Sequence, residues 1–298
     1  MMTFSALMFT SVLLGLALVV NSQIISHGPS AVPASPGSRT LATNDLSTGC
    51  GKSPTITSGV YSTTVNGQQR QYTLTLPQNY NPSNPYKLIF GYHWLGGTMN
   101  DVVSGSYYSI QPLADNQAIF VAPQGIDNGW ANSDGDDITF TDQMLDTLKA
   151  GLCIDESKIY SMGWSYGGSM SYALACARPN VFRGVAVMSG ANLSGCSAGT
   201  QPVAYYGQHG VSDTVLPIDL GRQIRDTFVK DNLCTSQTPQ EPAVGSGTHI
   251  KTEYSGCSGG HPVWWIAFDG PHEPLATDAG ASSPWTPDQI WEFFSQFD

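Results

Sequence analysis

Charge is scarce in this chain of 298 residues: 12% of it is charged, and the basic share is the smaller, 12 Lys+Arg against 23 Asp+Glu for a net charge of −11. So low a charged fraction argues against a chain kept unfolded by self-repulsion. The shortage of Lys and Arg removes the electrostatic footprint that nucleic acid or an anionic membrane face requires. His and Cys show no zinc-ligand spacing, no internal repeat appears, and no second apolar run long enough to span a bilayer follows the first. Asn132-Ser133-Asp134-Gly135-Asp136-Asp137 slightly resembles a calcium loop, but the glutamate at the twelfth position and the required Gly spacing are missing. These absences predict an acidic, soluble chain with no nucleic acid, membrane or metal partner.

Leu7 to Val20 is almost wholly apolar, too short to cross a bilayer comfortably, and is followed by compact residues where a signal peptidase reads. Residues 1–22 are therefore expected to be a secretory signal, cleaved after about Ser22, and the protein to be extracellular. The first residues carry no Lys or Arg, which leaves a signal anchor as the alternative. Residues 23–48, rich in Ser, Pro, Ala, Gly and Thr and nearly free of aromatics, read as a flexible arm or linker. Residues 49–298 suit one large domain. In a secreted chain the six Cys supply up to three disulfides, whose pairing the sequence leaves open. Asn192-Leu193-Ser194 is a glycosylation sequon.

Apolar runs bounded by turn residues predict strands at Tyr72 to Leu76, Lys87 to Tyr92, Ala118 to Ala122, Lys158 to Gly163, Gly184 to Met188, Val203 to Gly207 and Val263 to Phe268. An early hairpin turns at Asn66-Gly67, a dipeptide that tolerates the positive φ of a type I′ turn. Between the strands fall helical faces: Phe140, Met144, Leu145 and Leu148, then Ile290, Phe293, Phe294 and Phe297. The last helix is expected to start with Thr286 as N-cap and Pro287 at its first position. Strand alternating with helix implies a mostly parallel sheet covered by helices on both faces.

Gly163-Trp164-Ser165-Tyr166-Gly167 joins a predicted strand to an apolar helical stretch, the context in which G-x-S-x-G forms the nucleophile elbow of the α/β-hydrolase fold. The turn strains Ser165 and raises its hydroxyl above the sheet, and the flanking glycines let the chain pass closely. A serine needs a base to become a nucleophile, supplied in this architecture by a late His after an acidic residue. Asp213 and His272 each stand just past a predicted strand, and we assign them as acid and base. His261 and His249 compete with His272 but precede or begin a strand, and Asp269, the rival acid, suits a strand terminator or turn cap better. An oxyanion would need preorganised N–H donors, for which the backbones of Tyr166 and of Trp94, in His93-Trp94-Leu95-Gly96-Gly97, are the candidates, with Leu95 in reserve. No step calls for a cofactor.

Trp130 and Asn132 follow the strand ending near Ala122, on the edge where open α/β sheets bind ligands. They read either as substrate contacts, holding a phenolic ring or sugar face, or as a packing Trp and a turn Asn. Trp264 and Trp265 are adjacent in a strand and must face opposite ways, so at most one meets the site; Trp264 is taken as the contact, against a core reading for both.

The segments from Gly91 to Thr98, Asn128 to Asn132, Gly163 to Gly168 and Pro262 to Pro274 together resemble the secreted fungal feruloyl esterases of carbohydrate esterase family one, relatives of acetylxylan esterases and polyhydroxybutyrate depolymerases. The resemblance runs from about Cys50 to the end. It implies a Ser-His-Asp triad on Ser165, His272 and Asp213, and hydrolysis of hydroxycinnamate esters, small ones and those on plant cell-wall arabinoxylan. Acetylxylan or polyhydroxyalkanoate esters are the alternative substrates, and a wall-binding protein that has lost the chemistry is the alternative outside enzymes.

Overall fold

A computed structural model describes residues 45–196, 199 and 201–298. The expected signal, and residues 23–44 of the expected arm, lie outside the described residues. The domain's contacts reach back to Asp45: Leu46 bridges to Asp155, and Ser47 Oγ donates to Leu152 O at 2.6 Å.

Asn66 and Gly67 both take positive φ, 48° and 84°, and fold β1 (Gly59–Val65) back on β2 (Gln68–Thr75) as an antiparallel hairpin. The apolar runs then form β3 (Tyr86–Tyr92), β4 (Ala118–Pro123), β5 (Ile154–Trp164), β6 (Gly184–Met188), β7 (Ala204–Gly210) and β9 (Val263–Phe268). An additional strand, β8 (His249–Glu253), pairs antiparallel to β9 at the sheet's edge. The order is β1-β2-β4-β3-β5-β6-β7-β9-β8, and the six central strands, β4 to β9 in that order, run parallel.

Side chains alternate across this sheet with period two. Leu88, Phe90 and Tyr92 of β3 join the layer of α3 (Asp136–Gly151), α4 (Tyr166–Ala177) and α5 (Ile218–Asp231), whereas Ile89 joins α1 (Met99–Ser104), the left-handed turn α2 (Ser106–Ser109) and α6 (Thr286–Ser295). Every residue of β3, β4, β6, β7 and β9 is buried, as a sheet covered on both faces requires. This is the α/β-hydrolase fold. Because β4 lies on one side of β3 and β5 on the other, the connections diverge there, and the carboxyl ends of β3 and β5 open the crevice where such sheets bind ligands.

The six cysteines pair as Cys50–Cys153, Cys176–Cys196 and Cys234–Cys257. The second ties the end of α4 to the loop after β6. Thr286 is not the N-cap of α6: Trp285 takes that position, while the Thr286 hydroxyl accepts from the Ala276 N–H and lies 3.3 Å from Gln208 Nε2. Among the described residues no helix is long and apolar enough to cross a membrane.

Candidate active site

Strand β5 delivers the chain to Ser165 and α4 begins one residue later. Ser165 sits at φ 57°, ψ −118°, a conformation that costs an L-residue roughly 1–3 kcal/mol and persists only where its surroundings over-determine it. They do. Its N–H donates to Met188 O at the end of β6 (2.9 Å), and its carbonyl accepts from Ser169 N (3.0 Å). A Cβ on Gly167 would stand 2.1 Å from Tyr92 O, and one on Gly163 would stand 2.4 Å from the Gly167 carbonyl carbon, so backbone fills both places.

The loops after β7 and β9 are joined by Val211 N to Phe268 O (2.9 Å) and Ser212 N to Gly270 O (3.1 Å). This brings Asp213 to His272, whose Nδ1–H donates to Asp213 Oδ2 at 2.6 Å. The other carboxylate oxygen accepts the N–H groups of Val215 (2.8 Å) and Leu216 (2.9 Å). Burial would raise the Asp213 carboxyl, but the hydrogen bonds from His209, His272, Leu216 and Val215 outweigh it and hold the group down at about 2. With Nδ1–H committed, His272 Nε2 carries the lone pair; it is buried without a hydrogen-bond partner, and its ring lies 5.0 Å from that of Trp164, the residue before Ser165. The rivals are engaged elsewhere. Asp269 Oδ2 accepts Gly247 N–H (2.6 Å), His249 Nδ1 meets Asp278 (2.8 Å), and His261 Nδ1 meets Ser258 O (3.2 Å).

The loop after β3 is held from both sides. Buried His93 donates from Nδ1 to Trp94 O (2.8 Å) and accepts Gly125 N–H at Nε2 (3.0 Å), a pattern that requires the neutral ring; burial lowers its pKa, consistent with that. Gly97 N–H also reaches Trp94 O (3.0 Å), and Gly96 N–H reaches Asn128 O (2.8 Å). Tyr166, as the first residue of α4, presents a backbone N–H with no partner inside its own helix. No group of His, Cys, Asp and Glu among the described residues is arranged to hold a metal ion.

The three expected substrate contacts have other tasks. Trp130 is fully buried; its Nε1–H donates to His93 O (2.7 Å) and its ring meets Tyr92 edge-on, so it braces the loop after β3 from within the core. Asn132 spends its side chain at the start of α3, accepting Asp137 N–H (3.1 Å) and donating to Ser194 O (2.9 Å). Trp264 does face opposite to Trp265, but into the α6 layer, against Phe293 and Lys251. The aromatic ring against His272 is instead that of Trp164, which lies 5.3 Å from the ring of Trp94. A Cβ on Gly129 would touch both Leu95 and Tyr166, which places those side chains together, and Leu95 is 65% exposed. Trp164 was visible in the motif as the residue before the serine. His209, four residues ahead of Asp213, lay past the predicted strand with no local mark of its contact to the carboxylate; in the structure β7 extends over it.

The sequence profile of the prolyl oligopeptidase family matches residues 126–195, the segment around the elbow. Feruloyl esterase D of Neurospora crassa is 45% identical over 279 residues, covering 90% of this chain and 94% of that protein. A probable feruloyl esterase C of Aspergillus terreus is 49% identical over 253 residues, covering 84% and 91%. Among solved structures, an acetyl xylan esterase from Aspergillus awamori superposes with a TM-score of 0.55 over 80% of this chain and all of that one; at 15% identity it speaks for the fold alone. With identities this high over nearly the whole length of both sequences, the chain belongs to the feruloyl esterase family.

Proposed function

We propose that this protein is a secreted serine esterase that hydrolyses feruloyl and related hydroxycinnamoyl esters, small ones and those on plant cell-wall arabinoxylan. The observation that carries the reading is the 2.6 Å Asp213–His272 contact beside a strained serine elbow, in a chain 45–49% identical to feruloyl esterases. Ser165 Oγ bonds to the ester carbonyl carbon while His272 Nε2 takes its proton, and the carbonyl electron pair moves onto oxygen. The backbone N–H groups of Tyr166 and Trp94 stabilise that oxyanion, and Asp213 stabilises the imidazolium. Collapse expels the sugar alkoxide, which takes the proton from His272. Water then repeats the sequence on the acyl-enzyme, releasing the acid and restoring Ser165.

The triad does not choose an acyl group. Trp94, Trp164, Leu95 and Tyr166 favour a planar aromatic acid, because each good aromatic contact adds about 0.5–1.5 kcal/mol that acetate cannot gain. Secretion is supported by three disulfides, which persist in oxidising compartments. The test sets methyl ferulate, methyl sinapate, acetylated xylan and a polyhydroxybutyrate film side by side, with fluorophosphonate labelling of Ser165. We expect labelling in the wild type, none in Ser165→Ala, and a kcat/KM for ferulate roughly tenfold or more above that for acetyl esters. Absence of labelling overturns the serine mechanism, and preference for acetyl or hydroxybutyryl esters replaces the substrate class.

A further inference from the structure

His209 is a second histidine on the same carboxylate, and nothing in the acyl-transfer sequence above uses it. It is the penultimate residue of β7 and 1% exposed, on the face that carries Tyr205 and its stacking partner Phe228. Its Nε2 lies 2.7 Å from Leu216 O and 3.2 Å from Asp213 Oδ2. Both neighbours accept hydrogen bonds, so Nε2 bears a proton and shares it between them.

Asp213 thereby receives four donors: two imidazole N–H groups on Oδ2 and two backbone N–H groups on Oδ1. That fills the acceptor capacity of a carboxylate, and a carboxylate so held cannot turn about its Cβ–Cγ bond without breaking several bonds at once. The same proton ties Leu216 O to β7, closing the loop from Asp213 to Leu216. Packing does not account for a histidine here. Its Nδ1 is buried with no partner, and the ring leaves so little room that a Cβ on Gly221 of α5 would stand 2.3 Å from it. For packing alone a leucine would fill a similar space without burying an unpartnered ring nitrogen; what it cannot supply is the donor to Leu216 O and Asp213 Oδ2.

We infer that His209 is a positioning residue of the esterase reaction, holding the Asp213 carboxylate and its loop in the orientation that His272 requires. The inference rests on the serine-esterase reading above. The groups around the pair are Asp213 from the β7–α5 loop, Trp265 of β9, Arg225 of α5 stacked over Trp265 and paired with Asp226, and Glu273 next to His272 in sequence. With the His209 donor removed, Asp213 Oδ2 becomes the stronger acceptor toward the imidazolium, which moves the acid limb of the pH profile upward.

The experiment measures kcat/KM for methyl ferulate against pH, and thermal unfolding, in the wild type, His209→Leu and His209→Gln. We expect His209→Leu to lose roughly 10- to 100-fold in kcat/KM, as for loss of a hydrogen bond to a charged group, with its acid limb at higher pH than the wild type. His209→Gln, whose amide can donate to the same acceptors, should recover most of the rate and bring the limb back. If both variants lose stability alike while the acid limb stays put, His209 is a packing residue and the inference falls. Should His209→Leu fail to fold, His209→Met, another apolar chain of similar volume with no donor, takes its place: a rate loss with the acid limb raised, beside a Gln variant near the wild type, supports positioning, and a Met variant whose limb is unmoved overturns it. An active, fluorophosphonate-labelled wild type separates that failure from failure of the esterase reading; an inactive, unlabelled one removes both.

Discussion

The two halves of the proposed catalytic constellation are held by different forces. On the nucleophile side, backbone meets backbone: Gly163 and Gly167 lie against Tyr92 O, and Ser165 is pinned by Met188 and Ser169. On the acid–base side, hydrogen bonds hold one carboxylate: Asp213, on the loop after β7, takes two imidazole N–H groups, from His209 of β7 and His272 of the loop after β9, and the backbone N–H groups of Val215 and Leu216. Steric constraint does not titrate and tolerates no added atom. Hydrogen-bonded constraint tolerates changes in size but depends on proton occupancy.

The largest expected effect spans both halves. Ser165→Ala or His272→Ala should each lower kcat by roughly 10⁶-fold, with the double variant hardly worse, because the groups act as a unit. Strictly additive losses would mean that the two sides work independently.

Asp213→Asn comes next, at roughly 10⁴-fold in kcat, because an amide in place of the carboxylate favours the wrong tautomer of His272. Here pH sharpens the contrast. The Asp213 carboxyl is lowered from 3.8 to about 2 in the folded protein, so it contributes stability above the unfolded value, and that contribution is lost as pH falls from 3.8 toward 2. Acid titration of unfolding should therefore show less loss in Asp213→Asn than in the wild type over that window. Equal acid sensitivity would place the titrating stability elsewhere.

Gly167→Ala should break the steric half: with Tyr92 O at 2.1 Å from the new Cβ, the expected cost is roughly 3–5 kcal/mol of stability, or failure to fold, at every pH. A soluble, fully active variant would show that the elbow yields more than its close contacts imply. The smallest effect concerns Trp130. Because its Nε1–H braces His93 O inside the core, Trp130→Phe should cost about 1–2 kcal/mol in unfolding and lower hydrolysis of ferulate and acetyl esters alike. A loss confined to ferulate would return Trp130 to the substrate pocket.

The central strands were legible because their apolar runs are continuous, and the elbow because Gly and Ser at fixed offsets carry their backbone requirement locally. The places of Asp213 and His272 just past strands were legible too. β8 was not legible: His249–Glu253 is half exposed and polar, an edge strand that exists only by pairing with β9. Thr286 looked like a cap, yet its hydroxyl serves Ala276 and Gln208 across the fold. Trp130 and Trp264 were misread for the same reason. An aromatic ring in a loop or strand has no local mark telling core from pocket, since that depends on which distant residues surround it.

Local chemistry along the chain thus determined the strand–helix alternation, the serine elbow and the strand-end positions of Asp213 and His272, because backbone conformation and apolar periodicity are set by neighbours in sequence. Tertiary structure alone decided the pairing of the six cysteines, the burial of Trp130, and the meeting of His209 and His272 on one carboxylate. Each of these joins residues from separate segments, and a contact between segments exists only once the sheet order has brought them together.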